Sequence, residues 1–254
     1  MRQRRHPRAA VLARKVSFSY RGSKAVDRLS LTVPRGVSFG LLGPNGPGKT
    51  TLIRLLVGLS TPQRGKVRVL GSPPSRTTAH RIGYMPQLRS LYAELSVGQN
   101  VEFFARIYGL RNKRQRRKRV YEAPKLVGLW SRRKDSVDKL SGGMKQRASL
   151  ACAIVHHPRV LFLDEPTVGL DPDLRAKFWR HFNALTKRGI TLIISSHAMD
   201  DAAHCDRLAF VRRGRIIAEG TLDQLRQAAG SSEATLEQAF LYFVRRGKRE
   251  SDAK

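Results

Sequence analysis

Read by the spacing of its apolar positions, the chain alternates between stretches of strand and helix character. Three β-rich stretches come early, Val11–Tyr20, Ala25–Val33 and Lys66–Leu70, with turn residues between them. Val37–Leu42 is a short apolar strand, followed by a glycine loop and then by Thr51–Leu59, where leucines recur at helical spacing. From about Val97 to His157 the pattern is helical and charged, with no convincing strand. Strand signals resume at Val160–Leu163, Thr191–Ser195 and Leu208–Val211, with helical stretches at Asp173–Lys187 and Asp200–His204. Such alternation predicts an α/β fold, a parallel sheet joined by crossover helices. The Val97–His157 block reads as a helical subdomain inserted between two of its strands. No repeat, low-complexity block or Gly/Ser linker divides the chain. A single domain is expected, with a core at 1–88 and 159–254 and a helical subdomain at about 89–158.

The glycine loop brings the first chemistry. Gly43–Thr50 reads GPNGPGKT and lies between a strand and a helix, as a phosphate-binding loop requires. In such a loop, Gly43, Pro44, Asn45, Gly46, Pro47 and Gly48 would wrap the β-phosphate, with backbone N–H groups turned inward from all but the two prolines. The N-terminus of the next helix adds partial positive charge. Lys49 would bridge the β- and γ-phosphates, the Thr50 hydroxyl would ligate Mg²⁺, and Thr51 closes the loop. By residue frequencies the bare pattern turns up in on the order of one chain in a hundred of this length. The strand–loop–helix context makes an ordinary glycine turn improbable. It also narrows the fold to a P-loop NTPase core, with an N-terminal antiparallel β subdomain and the inserted helical subdomain.

Two further stretches carry compatible chemistry. The apolar strand Val160–Glu165 ends in two carboxylates: Asp164 as a Mg²⁺ contact, and Glu165 to orient or deprotonate a water in line with a γ-phosphate. Leu140–Arg147 reads LSGGMKQR, a Ser-Gly-Gly turn opening a helix over Met144–Val155, a second helix N-terminus suited to phosphate. In order along the chain stand the phosphate loop, Gln87, this turn, Asp164-Glu165, Gly169-Leu170-Asp171 and His197. That set closely resembles the ATP-binding-cassette (ABC) ATPase family, over roughly residues 11–245.

The resemblance implies a mechanism. Two such domains would pack head to tail, with each ATP between one subunit's phosphate loop and Ser141, Gly142 and Gly143 of the other. Tyr20 would stack on adenine. Gln87 would touch Mg²⁺ and the attacking water and couple to a transmembrane partner. His197 would contact the γ-phosphate and steady Glu165, and Asp171 would join the loop at the dimer interface. The cofactors implied are ATP and Mg²⁺. Pro47 departs from the family, which usually has Ala, Ser or Cys there, and removes one N–H donor. The stretches Tyr84–Val97, Asn100–Leu110 and Thr235–Phe240, the last a short helix, resemble exporters of drugs, lipids or polysaccharides. The implied partners are therefore a separate transmembrane permease and a second ATPase, either the same chain or a sister subunit. The implied location is the cytoplasm, peripheral on the inner face of the cell membrane.

Composition alters this picture in one respect. Of the 254 residues, 49 are Lys or Arg and 19 are Asp or Glu, a net charge of +30. Arg111–Arg119 is nearly all basic, and Arg2, Arg4, Arg5, Arg8, Arg245, Arg246, Lys248 and Arg249 add to both termini. Such runs suit anionic lipid headgroups, ribosomes or nucleic acid, or they are simply solvated faces. A non-transporting ABC ATPase acting on ribosomes or nucleic acid is the alternative reading. It fits less well, because ribosome-acting members usually carry two cassettes and DNA-repair members a long coiled coil. Apolar runs such as Ile190–Ile194 fall far short of the ~20 residues that cross a bilayer. Ala9–Ala13 is too short to be the apolar part of an export signal. Cys152 and Cys205 have no metal-like spacing and read as reduced structural thiols.

Overall fold

A computed structural model describes residues 9–87, 90–230 and 232–252, with the side chains of residues 47 and 248–252 excepted. In chain order the elements begin β1 (Val11–Tyr20), β2 (Ser23–Val33), β3 (Ser38–Leu42), α1 (Pro47–Val57) and β4 (Arg64–Val69). They continue β5 (Ile82–Met85), α2 (Val97–Ile107), α3 (Lys113–Leu126), α4 (Gly142–Ile154), β6 (Val160–Asp164) and α5 (Pro172–Lys187). The last are β7 (Thr191–Ser196), β8 (Arg207–Arg212), β9 (Arg215–Gly220), α6 (Leu222–Ala228) and α7 (Leu236–Asp252). Two compact units result, one from residues 1–74 and 193–254, the other from 75–192.

In the first unit β2, β1 and β4 form an antiparallel sheet with β1 in the centre. Period-two alternation sends Val11, Ala13, Val26, Leu31, Val33, Val67 and Val69 to one buried face, while charged residues take the other. Bulges interrupt the ladder between Ala13 and Val16 and between Val16 and Phe18. Lys15 and Arg28 adopt left-handed backbone there, with φ of 47° and 45°. That conformation costs a non-glycine residue roughly 1–2 kcal/mol. Beside this sheet in sequence, β3 pairs in parallel with β8, and β8 turns back antiparallel into β9. The turn residues Arg213 and Gly214 both have positive φ, 48° and 72°, as a two-residue hairpin of matching twist needs. Phe210 on β8 is buried under Phe240 and Phe243 of α7.

Several boundaries differ from the sequence expectation. Helix α1 starts at Pro47, not Thr51, because proline's fixed φ suits the first helical position, where its missing N–H costs the helix no internal hydrogen bond. It ends before Gly58, whose φ of 82° supplies the left-handed C-cap. The expected helix at Asp200–His204 is a 3₁₀ turn over Met199–His204. Strands β5 and β9 and helix α6 were not anticipated, being four to seven residues long with weak periodicity. The expected short helix Thr235–Phe240 is the start of a 17-residue helix, fixed where Thr235 and Gln238 exchange side-chain-to-backbone bonds.

In the second unit β5 and β6 pair in parallel, Ile82 opposite Val160 through Met85 opposite Leu163. Helices α2, α3 and α4 lie between them in sequence. Ser96 and Gln99 form a capping box at the start of α2. Fully buried Asn100 ties down the segment before it, donating to the carbonyls of Tyr92, Leu95 and Ser96. The basic run divides in two here. Arg116 is a structural residue: its guanidinium donates to Glu102 at 2.7 Å and to the Leu110 carbonyl at 2.9 Å, locking α3 to α2. Lys113, Arg114 and Arg117 stay exposed. Among the described residues no helix is long and apolar enough to cross a membrane. Cys152 and Cys205 form no disulfide, and burial pushes both thiols up, so they act as packing groups.

His156 makes this unit acid-sensitive. Its Nε2 bonds the Ile82 carbonyl at 3.0 Å and its ring stacks on Tyr108 with centroids 3.8 Å apart. Burial, offset in part by that bond, pushes its pKa down to about 4. The unfolded chain takes up this proton near pH 6.5, and the folded chain refuses it until near pH 4. The stability is therefore complete above pH 6.5 and drains as pH falls toward 4, by on the order of 2 kcal/mol at pH 5. Urea unfolding at pH 7.5 and 5.0 should show this loss, and His156→Gln should flatten it. Burial depresses His157 and His181 in the same direction, so some acid sensitivity will remain in the variant.

Candidate functional site

The phosphate loop lies in the first unit, leaving β3 at Leu42 and entering α1 at Pro47. Gly43 is obligatory by contact: a Cβ there would sit 2.1 Å from the Val211 carbonyl oxygen. Its N–H donates to the Ser196 carbonyl at 3.3 Å, so the loop starts against the end of β7, one residue before His197. The Ser196 hydroxyl in turn donates to Asp201 at 2.6 Å, fixing the turn that carries exposed His197. Lys49 is buried, and its ammonium donates to the carbonyls of Gly43 at 2.7 Å and Pro44 at 3.0 Å. Those bonds curl the loop back on itself and hold the charge at the helix N-terminus.

A cleft of about 340 Å³ opens above the loop, lined by Pro44, Asn45, Gly46, Gly48 and Lys49 on one side. Lys24, Ala25 and the β8–β9 turn Val211–Gly214 form the other. Sequence reasoning missed this second wall. The Arg213-Gly214 pair between two strand-like runs was its available signal. Among the described residues no acid lines the cleft, while Lys24, Lys49, Arg212 and Arg213 do, a lining that suits a polyanion. Gly214 packs so closely on β2 that a Cβ would lie 2.5 Å from the Ala25 carbonyl oxygen. Tyr20, at the end of β1, is 40% exposed, with its ring edge-on to Phe18 at 4.9 Å. It is an open ring and not a core residue.

The second unit carries the other residues. Ser141 caps α4, its hydroxyl accepting the Met144 N–H at 3.4 Å, with Gly142 opening the helix and exposed. A Cβ on Gly143 would meet Leu174 at 2.5 Å, so that glycine lets α5 approach the turn. Asp164 ends β6 fully buried, and Glu165 follows, buried and in left-handed backbone at φ 52°. Gln146 of α4, which the sequence reading passed over, donates to the Pro166 carbonyl at 2.9 Å and ties the capped helix to the carboxylate turn. Asp171 caps α5, accepting the Leu174 N–H at 2.8 Å. Gln87 is exposed in a bend after β5.

A buried lysine is thus held on the carbonyls of its own loop, and a serine-capped helix is tied to a strained carboxylate turn. Residues 26–168 match the family described as ABC transporter. The chain belongs to the ABC transporter family. It is 41% identical over 238 residues to the probable multidrug ABC transporter ATP-binding protein YbhF of Escherichia coli (strain K12), across 91% of its own length. It spans only 41% of that relative. It is also 41% identical over 218 residues to the Nod factor export ATP-binding protein I of Paraburkholderia xenovorans (strain LB400), covering 84% of this chain and 71% of that one. A solved ATP-binding subunit of an ABC transporter superposes with a TM-score of 0.84 at 27% identity, over 92% of this chain and 99% of the other. The fold is thus that of ABC ATPase cassettes.

Within this ABC protein Pro47 occupies the first position of α1. That placement explains why proline is tolerated, and it still leaves the helix mouth one N–H short. Pro47→Ala restores that donor, and ATP affinity should rise about two- to fivefold, the worth of one modest hydrogen bond. Calorimetric titration of both proteins checks this, and equal affinities would show that position 47 contributes nothing to phosphate binding.

Proposed function

We propose that this chain is the ATP-binding and ATP-hydrolysing subunit of an exporter, working as one cassette domain with a permease carried on a separate chain. The observation that carries the ATP site is Lys49, buried with its ammonium on the loop carbonyls at the mouth of α1. In this reading the loop Gly43–Thr51 wraps the phosphates, and Tyr20 stacks on the adenine. Ser141, Gly142 and Gly143 of a second copy, or of a sister subunit, complete the γ-phosphate site. Glu165 accepts a proton from the attacking water, and His197 and Gln87 orient it. Asp164, Thr50 and Gln87 are oxygen donors, with no Cys or His among them, the set a hard Mg²⁺ ion prefers. Bound there, Mg²⁺ would neutralise charge on the β- and γ-phosphates.

ATP then bridges two subunits, so its binding favours the closed pair and hydrolysis releases it. The similarity to the Nod factor export ATP-binding protein I supports export as the direction. The working place in this reading is the cytoplasmic membrane face, where exposed Lys113, Arg114 and Arg117 of α3 meet anionic headgroups. Purification from membranes with identification of the bound integral protein tests the assignment. A bound permease that raises ATP turnover is the expected result. Stimulation by ribosomes or nucleic acid, with no bound permease, would overturn it.

A further inference from the structure

The polar face of the β2–β1–β4 sheet forms a groove of about 1,000 Å³ with no apolar side chain among the described residues that line it. Six cations line it: Arg14, Lys15, Lys24, Arg28, Arg64 and Lys66. Its one acid, Asp27, is already engaged, bonded by Arg215 at 2.7 Å and paired with Lys24 at 3.4 Å. Arg215's hydrogen bond holds that carboxyl below the usual range despite its burial. Arg14, Lys15, Arg64 and Lys66 have no ion pair among the described residues.

The floor adds a second constraint. The Ser30 hydroxyl accepts the Lys15 N–H at 3.0 Å, and the Ser17 hydroxyl accepts the Arg28 N–H at 2.9 Å. A hydroxyl used this way keeps its own proton to donate. Gln63 has both ends of its amide spent on the Ser19 backbone, at 3.0 and 3.2 Å. The polar groups of the groove are therefore mainly donors and cations. The backbone supplies a third observation. Lys15 and Arg28 are the two bulge residues in left-handed conformation, where glycine would sit without strain. Two charged side chains are kept at strained positions that direct them outward.

We propose that this groove binds a chain of phosphate groups, inorganic polyphosphate in its simplest form. Such a ligand consists of acceptors and negative charge, the complement of this lining. A peptide strand would bring N–H donors that find few acceptors here. Single-stranded nucleic acid adds base stacking to its backbone contacts, and among the described residues no aromatic ring lines the groove to receive a base. The same groove on a second copy is equally cationic and offers this one no complement.

The test is fluorescence anisotropy of a labelled polyphosphate with the full-length protein. Wild type should bind in a strongly salt-dependent way, and Arg14→Gln with Lys66→Gln should weaken binding about tenfold or more. ATP affinity should be unchanged in this pair. Arg64→Gln, at the exposed end of β4, repeats the test should the double variant fold poorly. Arg114→Gln with Arg117→Gln on α3 should leave polyphosphate affinity as it was. Absence of wild-type binding, or equal loss from the α3 pair, would overturn the proposal. Displacement by saturating ATP would do the same, since Lys24 lines both the groove and the phosphate cleft. So would a groove variant that loses affinity for anionic phospholipid vesicles while still binding polyphosphate.

Discussion

Lys49→Ala will lose ATP affinity by about 10- to 100-fold and show no measurable turnover, reflecting a charge-assisted bond worth roughly 1.5–3 kcal/mol. Two effects combine. The ammonium that would meet the phosphates disappears, and so does the clamp on the Gly43 and Pro44 carbonyls that curls the loop. The second effect acts without ligand, so apo stability should fall as well. Thermal unfolding with and without Mg-ATP separates them. At a hundred times its dissociation constant, ATP adds about 2.7 kcal/mol to wild type, and the melting point should rise visibly. For the variant at the same concentration the added stability should shrink to about 0.4–1.4 kcal/mol, and the rise in melting point with it. A variant that keeps the full ATP-induced shift would remove Lys49 from the phosphate site and leave it only its structural bonds.

The parts of this molecule that were legible in the sequence are those whose signal is local. Gly43–Thr50 announces itself because a tight turn, a helix mouth and a charge must lie within eight residues. The strand β1 was read with both its ends, Val11 and Tyr20, since alternation and turn residues bound it. What stayed hidden depends on distant partners. Arg116 looks like its neighbours in a basic run, and only folding reveals that Glu102, 14 residues earlier, claims it. Gln146 sits inside a recognised motif, yet its bond to Pro166 crosses 20 residues. The bulges at Lys15 and Arg28 leave no mark in hydropathy, because a bulge changes register and not composition. The second wall of the phosphate cleft came from the β8–β9 hairpin, more than 160 residues beyond the loop. Spacing along the chain cannot express that proximity.

Glu165→Gln will reduce kcat about 10²–10⁴-fold, the usual contribution of a placed general base, while ATP affinity stays within a few-fold of wild type. The argument begins from strain. Glu165 holds φ at 52° directly after a fully buried strand, a conformation costing a non-glycine residue roughly 1–2 kcal/mol. Gln146 secures the next residue through the Pro166 carbonyl, so the surrounding structure imposes the conformation on the carboxylate. A purely structural turn would be better served by glycine, and the retained glutamate points to a use for its carboxylate. Glutamine keeps the shape and backbone demand but cannot accept the proton. Turnover should therefore collapse with the melting point nearly unchanged, and ATP should hold two subunits together longer, because its γ-phosphate persists. Steady-state hydrolysis and size-exclusion chromatography in Mg-ATP measure the two effects. Wild-type turnover in this variant would place the proton acceptor elsewhere and make the strain at Glu165 a matter of folding alone.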